Sequence, residues 1–247
     1  MNFAVIVEKK LFLSCKKIKD KTMFYIKPTK NAIGFQLWGS REDLSELYDS
    51  FSIFFNDQIY DSELEFDSCD KIISGVLYEI RKAFNDSRLK RNSGHLSGSE
   101  SVYYGCCLSW VQGIFFIQAI RYKQRLLPTN KLALSHLLEF EYWMEKAMYE
   151  FDLKTALELK GFITSRIDTL NDCLYIYMRK INLEYFLLNG GKKAFKALPG
   201  LLEKACYGTS GYNLYREELE REAKRLKIKV TSLELDDDYF DYESVKW

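Results

Sequence analysis

The sequence predicts an α+β protein, predominantly α-helical, with a small antiparallel β element near its N-terminus. Three observations carry this. Only Pro28, Pro128 and Pro199 occur in 247 residues, and so few breakers favour long uninterrupted helices. Apolar residues recur at spacings of three and four from Leu44 onward, the period of a helix with one buried face. Strand-like alternation is found before residue 40.

Residues 2–15 read as one or two short strands around Lys9-Lys10. A hairpin follows, with strands over Met23 to Lys27 and Ala32 to Trp38 and a turn at Pro28-Thr29-Lys30-Asn31. Ile33, Phe35 and Leu37 alternate with Gly34, Gln36 and Trp38, so one face suits a core. Ser40 with Asp43 resembles a capping box opening a helix that carries Leu44, Leu47, Tyr48, Phe51 and Phe55. Beyond a polar link, Asn56 to Asp67, a helix over about 69–84 buries Ile72, Ile73, Val76, Leu77, Ile80 and Phe84. Ser109 to Leu127 is apolar nearly all round, which predicts a central helix. Pro128 stops it and Thr129 caps the next, over about 130–149. Asp152 caps a short helix to about Arg166, and another spans about 170–188 until Gly190-Gly191 ends it. Pro199 interrupts the following segment, and a last amphipathic helix covers about 213–227 on the outside. The division expected is 1–86 as hairpin plus two helices, 87–101 as a mobile loop rich in Ser, Gly and Asn, 102–228 as a helical bundle and 229–247 as an acidic-aromatic tail, much of it mobile; one compact domain is the alternative.

A hydrophobic content of 47% is enough for a sizeable core, and a net charge of +1 gives no global bias toward nucleic acid or anionic membrane. Charge is uneven along the chain. Lys9, Lys10, Lys16, Lys17, Lys19, Lys21, Lys27 and Lys30 face only Asp20 in their region. Glu234, Asp236, Asp237, Asp238, Asp241 and Glu243 have no base among them. The body between is neutral, so the two ends carry opposite charge. The six cysteines form no disulfide framework, no signal peptide is seen, and the most apolar stretch, Cys106 to Ile120, is too short for a membrane span. A cytoplasmic location follows as the expectation, with no membrane association.

No phosphate loop, zinc pair or nucleophile elbow is present. Gly190-Gly191-Lys192-Lys193 reads as a helix end with solvated lysines. His136, three residues before Glu139, shares a stripe with Phe140 and Trp143 and reads as a satisfied core or rim histidine. Cys106-Cys107 lies in an apolar segment, where burial makes a thiol inert. No metal site and no cofactor are expected. Arg88 and His95, six residues apart, resemble the signature of the helical HEPN ribonucleases, in which such a pair acts on the RNA phosphodiester; here glycines and serines follow where that family continues a helix.

Two features suit binding. Lys9, Lys10, Lys16, Lys17 and Lys19, with Phe12, Phe24, Tyr25 and Trp38 nearby, have the make-up of a nucleic-acid surface, although edge lysines on a solvated strand look the same. The tail Asp236-Asp237-Asp238-Tyr239-Phe240-Asp241-Tyr242 suits docking on a basic, partly apolar groove, or serves only solubility. The leading expectation is therefore a non-enzymatic interaction protein whose tail docks on a basic surface, the lysine-rich N-terminal region, of itself or of a protein partner, with self-association included. The alternatives are a toxin-like ribonuclease using Arg88 and His95, and a small-molecule sensor with an aromatic pocket around Trp110, Tyr175 and Tyr177. Arg81 and Glu184, charges set in apolar runs, are expected to form a buried ion pair between the halves.

Several strings carry a family resemblance: Gly34-Phe35-Gln36-Leu37-Trp38-Gly39 with Asp43-Leu44, Leu77 to Phe84, Pro128-Thr129-Asn130-Lys131, Tyr175-Ile176-Tyr177-Met178 with Ile181 to Tyr185, and Lys192 to Pro199. Over most of its length the chain resembles an uncharacterised family of bacterial proteins of unknown function. The resemblance implies a bacterial, cytoplasmic origin; it brings no activity, cofactor or catalytic residue.

Overall fold

The computed structural model describes residues 23–55, 68–93 and 101–247. The expected strands over 2–15 and the link Asn56 to Asp67 lie outside these. The protein is α+β and mostly helical. Strands β1 (Phe24–Pro28), β2 (Gly34–Gly39), β3 (Leu89–Ser93) and β4 (Ser101–Ser109) form one antiparallel sheet in the order β1-β2-β4-β3. Helices α1 (Arg41–Ser52) and α2 (Ser68–Phe84) lie between β2 and β3 in the chain. After β4 come α3 (Trp110–Gln124), α4 (Lys131–Phe151), α5 (Leu153–Thr164), α6 (Leu174–Leu187), α7 (Gly191–Leu202) and α8 (Ser210–Leu226).

The hairpin and the first helix start form as their residues dictate. Ser40 accepts from the Asp43 N–H at 3.1 Å and Asp43 accepts from the Ser40 N–H at 3.1 Å, a reciprocal cap. Ser109 and Gln112 repeat the device at the start of α3, both at 2.9 Å. Other expectations are corrected. Residues 89–93, placed in a loop, are an edge strand, and 101–109, placed in the loop and the bundle, are the sheet's longest strand. Strand β4 escapes detection because its outward side is Tyr103, Gly105 and Cys107, almost as apolar as its inward side of Tyr104, Cys106 and Leu108, so no polar alternation marks it. Asn130 caps α4 in place of Thr129, whose hydroxyl turns back to the Leu127 carbonyl. Pro199 lies inside α7, whose ladder loses one bond there and ends three residues later.

The inner face of the sheet (Phe24, Ile26, Phe35, Leu37, Tyr104, Cys106, Leu108) packs on α1, α2 and α4. Phe140 of α4 meets Phe24, Phe35, Phe51 and Phe116 with ring centroids 5.5–6.3 Å apart. As expected, α3 is central: it touches α2, α4, α5 and α6, and Trp110, Val111 and Ile114 to Ile120 are all buried. Its last turn holds a buried charge. The Lys123 ammonium, 0% exposed, lies 2.8 Å from the carboxylate of Asp70, 5% exposed, in the first turn of α2. Each charge sits at the helix end its sign favours. The expected Arg81–Glu184 pair does not form: Arg81 is exposed over the Tyr78 ring, and Glu184 pairs with Lys204 at 2.6 Å.

The turn between β1 and β2 is buried at Thr29, Ala32 and Ile33, while Lys30 is exposed. Ala32 takes a left-handed conformation (φ 49°), and three consecutive carbonyls there accept from the helices. Asn31 accepts from the Gly191 N–H at 2.5 Å and Ile33 from the Trp110 N–H at 3.4 Å. Ala32 accepts twice, from the Trp110 indole and from the Tyr185 hydroxyl, both at 2.9 Å. Gly190 is obligatory beside it, because a Cβ would lie 2.6 Å from the Asn31 carbonyl and its φ is +73°.

Two stability measurements follow. In urea, Lys123→Met should cost about 3–5 kcal/mol, since it removes the ammonium that faces the buried Asp70 carboxylate, and Lys123→Met with Asp70→Leu should recover part of that loss. Tyr185→Phe should cost about 1 kcal/mol; combined with Trp110→Phe the loss should exceed the sum of the two, because the Ala32 carbonyl is then buried without a donor.

Candidate functional site

Helix α6 presents Tyr175, Arg179 and Phe186 along one side, and the C-terminal tail lies on them. After α8 the chain turns at Lys227 (φ 57°), passes through a 3-10 turn at Val230–Ser232 and buries Leu233. Asp237, 5% exposed, then reaches Arg179: one guanidinium nitrogen donates to both carboxylate oxygens, at 2.6 and 2.7 Å. The Tyr242 hydroxyl donates to the same carboxylate. Burial works against the Arg179 charge, but the hydrogen bonds and field of Asp237 outweigh it and hold its pKa above the ordinary value. Burial, then the bond to Asp237, pushes the Tyr242 phenol up.

A ring cluster continues the contact. Phe240 stacks on Phe186 at 5.8 Å and 4°, while Tyr242 and Trp247 meet Phe186 edge-on at 6.0 and 5.9 Å. The Asn31 side-chain amide donates to the Lys246 carbonyl at 2.8 Å, so the end of the tail reaches the buried turn. Beside the tail a groove of about 390 Å³ opens between α2 and α6, lined by Lys71, Ser74, Asp172, Tyr175, Arg179 and Glu234 among others. None of its lining residues is a histidine or a cysteine. Its chemistry is that of charge pairing and hydrogen bonding.

The residues singled out from sequence separate. Asp237 and Phe240 face α6; Asp236, Asp238 and Tyr239 are exposed. The tail, expected to be largely mobile, is fastened by a buried carboxylate and rings. Lys9, Lys10, Lys16, Lys17 and Lys19 lie outside the described residues, as does His95. Arg88 precedes a strand and is held by Glu79 through two bonds of 2.7 and 2.9 Å. Trp110, Tyr175 and Tyr177 do not share partners: Trp110 packs with Phe35 and Phe195, Tyr177 with Tyr212 and Tyr215, and Tyr175 lines the groove. Burial raises the thiols of Cys106 and Cys107. Among the described residues no cluster of three or more His, Cys, Asp or Glu is placed to hold a metal ion, and no helix is long and apolar enough to cross a membrane. Arg179 is the residue that sequence reading missed. Its signal was a pair of cations, Arg179-Lys180, between apolar Met178 and Ile181 on a helix otherwise read as core.

His136 is buried, and its Nδ1 lies 2.7 Å from the Ser50 hydroxyl across the α1–α4 contact. Burial lowers its pKa below the ordinary 6.5, against the opposing field of Glu46. Unfolding restores the ordinary value, so below it the unfolded state binds more protons. The stability contributed by neutral His136 is full above about pH 6.5 and is lost as pH falls from there through the lowered folded value. Urea melts at about pH 8 and about pH 5 should therefore show a smaller loss for His136→Gln than for wild type.

A protein-family model described as Domain of unknown function (DUF6904) matches residues 24–247. No curated protein and no solved structure matches the chain. The match takes in the four strands and eight helices of the described residues and the tail, whereas Lys9 to Lys19 precede it. The chain thus belongs to the family Domain of unknown function (DUF6904).

Proposed function

We propose that the protein is a non-catalytic binding protein that recognises an acidic-aromatic segment in the slot on α6, its own tail being the occupant in cis and a protein partner of like chemistry the occupant in trans. The observation that carries this is the Asp237 carboxylate, buried against Arg179 and Tyr242, with the rings of Phe240 and Trp247 gathered on Phe186. A tail serving only solubility has no need to bury an aspartate. The contact is bipartite, one hydrogen-bonded ion pair and one aromatic anchor, which is how a short peptide achieves orientation as well as affinity. A reducing compartment such as the bacterial cytoplasm suits the free thiols of Cys69, Cys106, Cys107, Cys173 and Cys206.

The occupant in cis competes at high effective concentration, so a free peptide should bind poorly until the tail is loosened. The full-length chain carrying Asp237→Ala should bind a dye-labelled peptide of residues 233–247 at least about ten-fold more tightly than wild type by fluorescence anisotropy. Adding Arg179→Ala should abolish that gain. Equal weak binding by all three proteins would refute the slot.

A further inference from the structure

The outer face of the sheet, opposite the helices, has a composition that the tail slot does not explain. None of the four strands contains an aspartate or glutamate. Register places Tyr25 directly opposite Trp38, Trp38 opposite Gly105 and Tyr103 opposite Arg91. A Cβ on Gly105 would lie 2.8 Å from the Trp38 indole, so the missing side chain leaves a bed on which that ring lies. The Arg91 guanidinium sits 5.9 Å from the ring of Tyr25, 5.2 Å from that of Trp38 and 5.8 Å from that of Tyr103, and it donates to the Tyr25 hydroxyl. Lys27 lies 5.4 Å from the Trp38 ring. Trp143 of α4 extends the row beyond Tyr25 at 6.5 Å, with Lys146 over it at 4.4 Å and Glu139 bonded to its indole.

The neighbouring cations are paired: Arg88 with Glu79 and Lys90 with Asp86. Among the described residues, no carboxylate lies within ion-pair distance of Arg91 or Lys27. Arg91 is exposed, Tyr25 and Tyr103 are half-buried, and Trp38 is the floor beneath the two cations.

We propose that this face binds single-stranded nucleic acid, with bases stacking on Tyr25, Tyr103 and Trp38 while Arg91 and Lys27 take the phosphates. Three considerations select that ligand. The face is cationic and its described strands carry no carboxylate, which complements a phosphate backbone. Its rings stand on adjacent strands about 5 Å apart, a spacing that suits successive unstacked bases. A duplex hides its base faces, so flat rings gain nothing from it, whereas a single strand offers them. Arg91 is held at an exposed site by rings and one phenol hydroxyl, with no ion pair among the described residues; on binding, it moves to a phosphate and a base takes its place over Trp38.

The test is anisotropy of the full-length protein with labelled oligouridylate and oligothymidylate of roughly 12 nucleotides and with a duplex of the same length, across a salt series. Single strands should bind more tightly than duplex, binding should weaken steeply with salt, and indole fluorescence should be quenched. Arg91→Ala and Tyr103→Ala should each weaken binding about ten-fold, and Tyr103→Phe should retain it. Absence of binding by the wild-type chain overturns the proposal, as does equal binding of duplex. So does binding that survives Arg91→Ala and Tyr103→Ala but is lost when Lys9, Lys10, Lys16, Lys17 and Lys19 are changed to glutamine, because those lysines then carry it. Unchanged binding with self-association of Arg91→Ala would make Arg91 a guard of the β3 edge, and overturns it too.

Discussion

The structure hangs on the carbonyls of one turn. Asn31, Ala32 and Ile33 offer three successive acceptors, and α3, α6 and α7 each send a donor to them. A turn of this kind ordinarily faces water, where its carbonyls are satisfied without help. Burying it obliges the helices to supply hydrogen bonds, since each unpaired carbonyl would cost about 1–3 kcal/mol. Trp110 and Tyr185 answer that need with the polar ends of otherwise apolar side chains. In the same stroke they fix where the first helix after β4 begins and how α6 is rotated.

That rotation decides the surface of α6. With Tyr185 and Tyr177 turned inward, Tyr175, Arg179 and Phe186 are left along the side where the tail arrives. The tail ends on the same turn through Asn31. Sheet, central helices and C-terminus are thus joined at one place, and a change in the turn is felt in the slot. The buried Lys123–Asp70 pair acts differently. It makes little net contribution to stability, but it favours one relative position of α2 and α3, because a shift of either helix pulls the two buried charges apart. Helix α2 in turn forms one side of the groove beside the tail.

Much of the fold was legible in the chain. The hairpin, the capping boxes at Ser40 and the Asp152 cap, the all-apolar α3 and the few prolines are local signals, and local signals act through bonds within a few residues. The strands β3 and β4 were not legible, since β4 is covered on one face and aromatic on the other, and β3 exists as a strand only by pairing with it. The expectation of a buried ion pair between apolar helices was sound in kind, but Arg81 and Glu184 were the wrong partners. Which two charges meet depends on the crossing of helices, and no spacing along the chain encodes that. The same holds for the tail: its acidic and aromatic make-up was plain, while its partners are Arg179 and Phe186 on α6 and Asn31 in the turn.

By itself, then, the sequence determined the secondary structure from α3 onward with few exceptions, the mostly helical class and the acidic-aromatic make-up of the tail. Only the tertiary structure decided that the turn is buried, that Asp237 meets Arg179, that Lys123 meets Asp70, and that Tyr25, Trp38, Tyr103 and Arg91 share one face. The reason is physical. Propensity, capping and periodicity are properties of neighbours in the chain, whereas pairing of distant charges and rings follows from how layers pack, and packing is fixed by the whole chain at once.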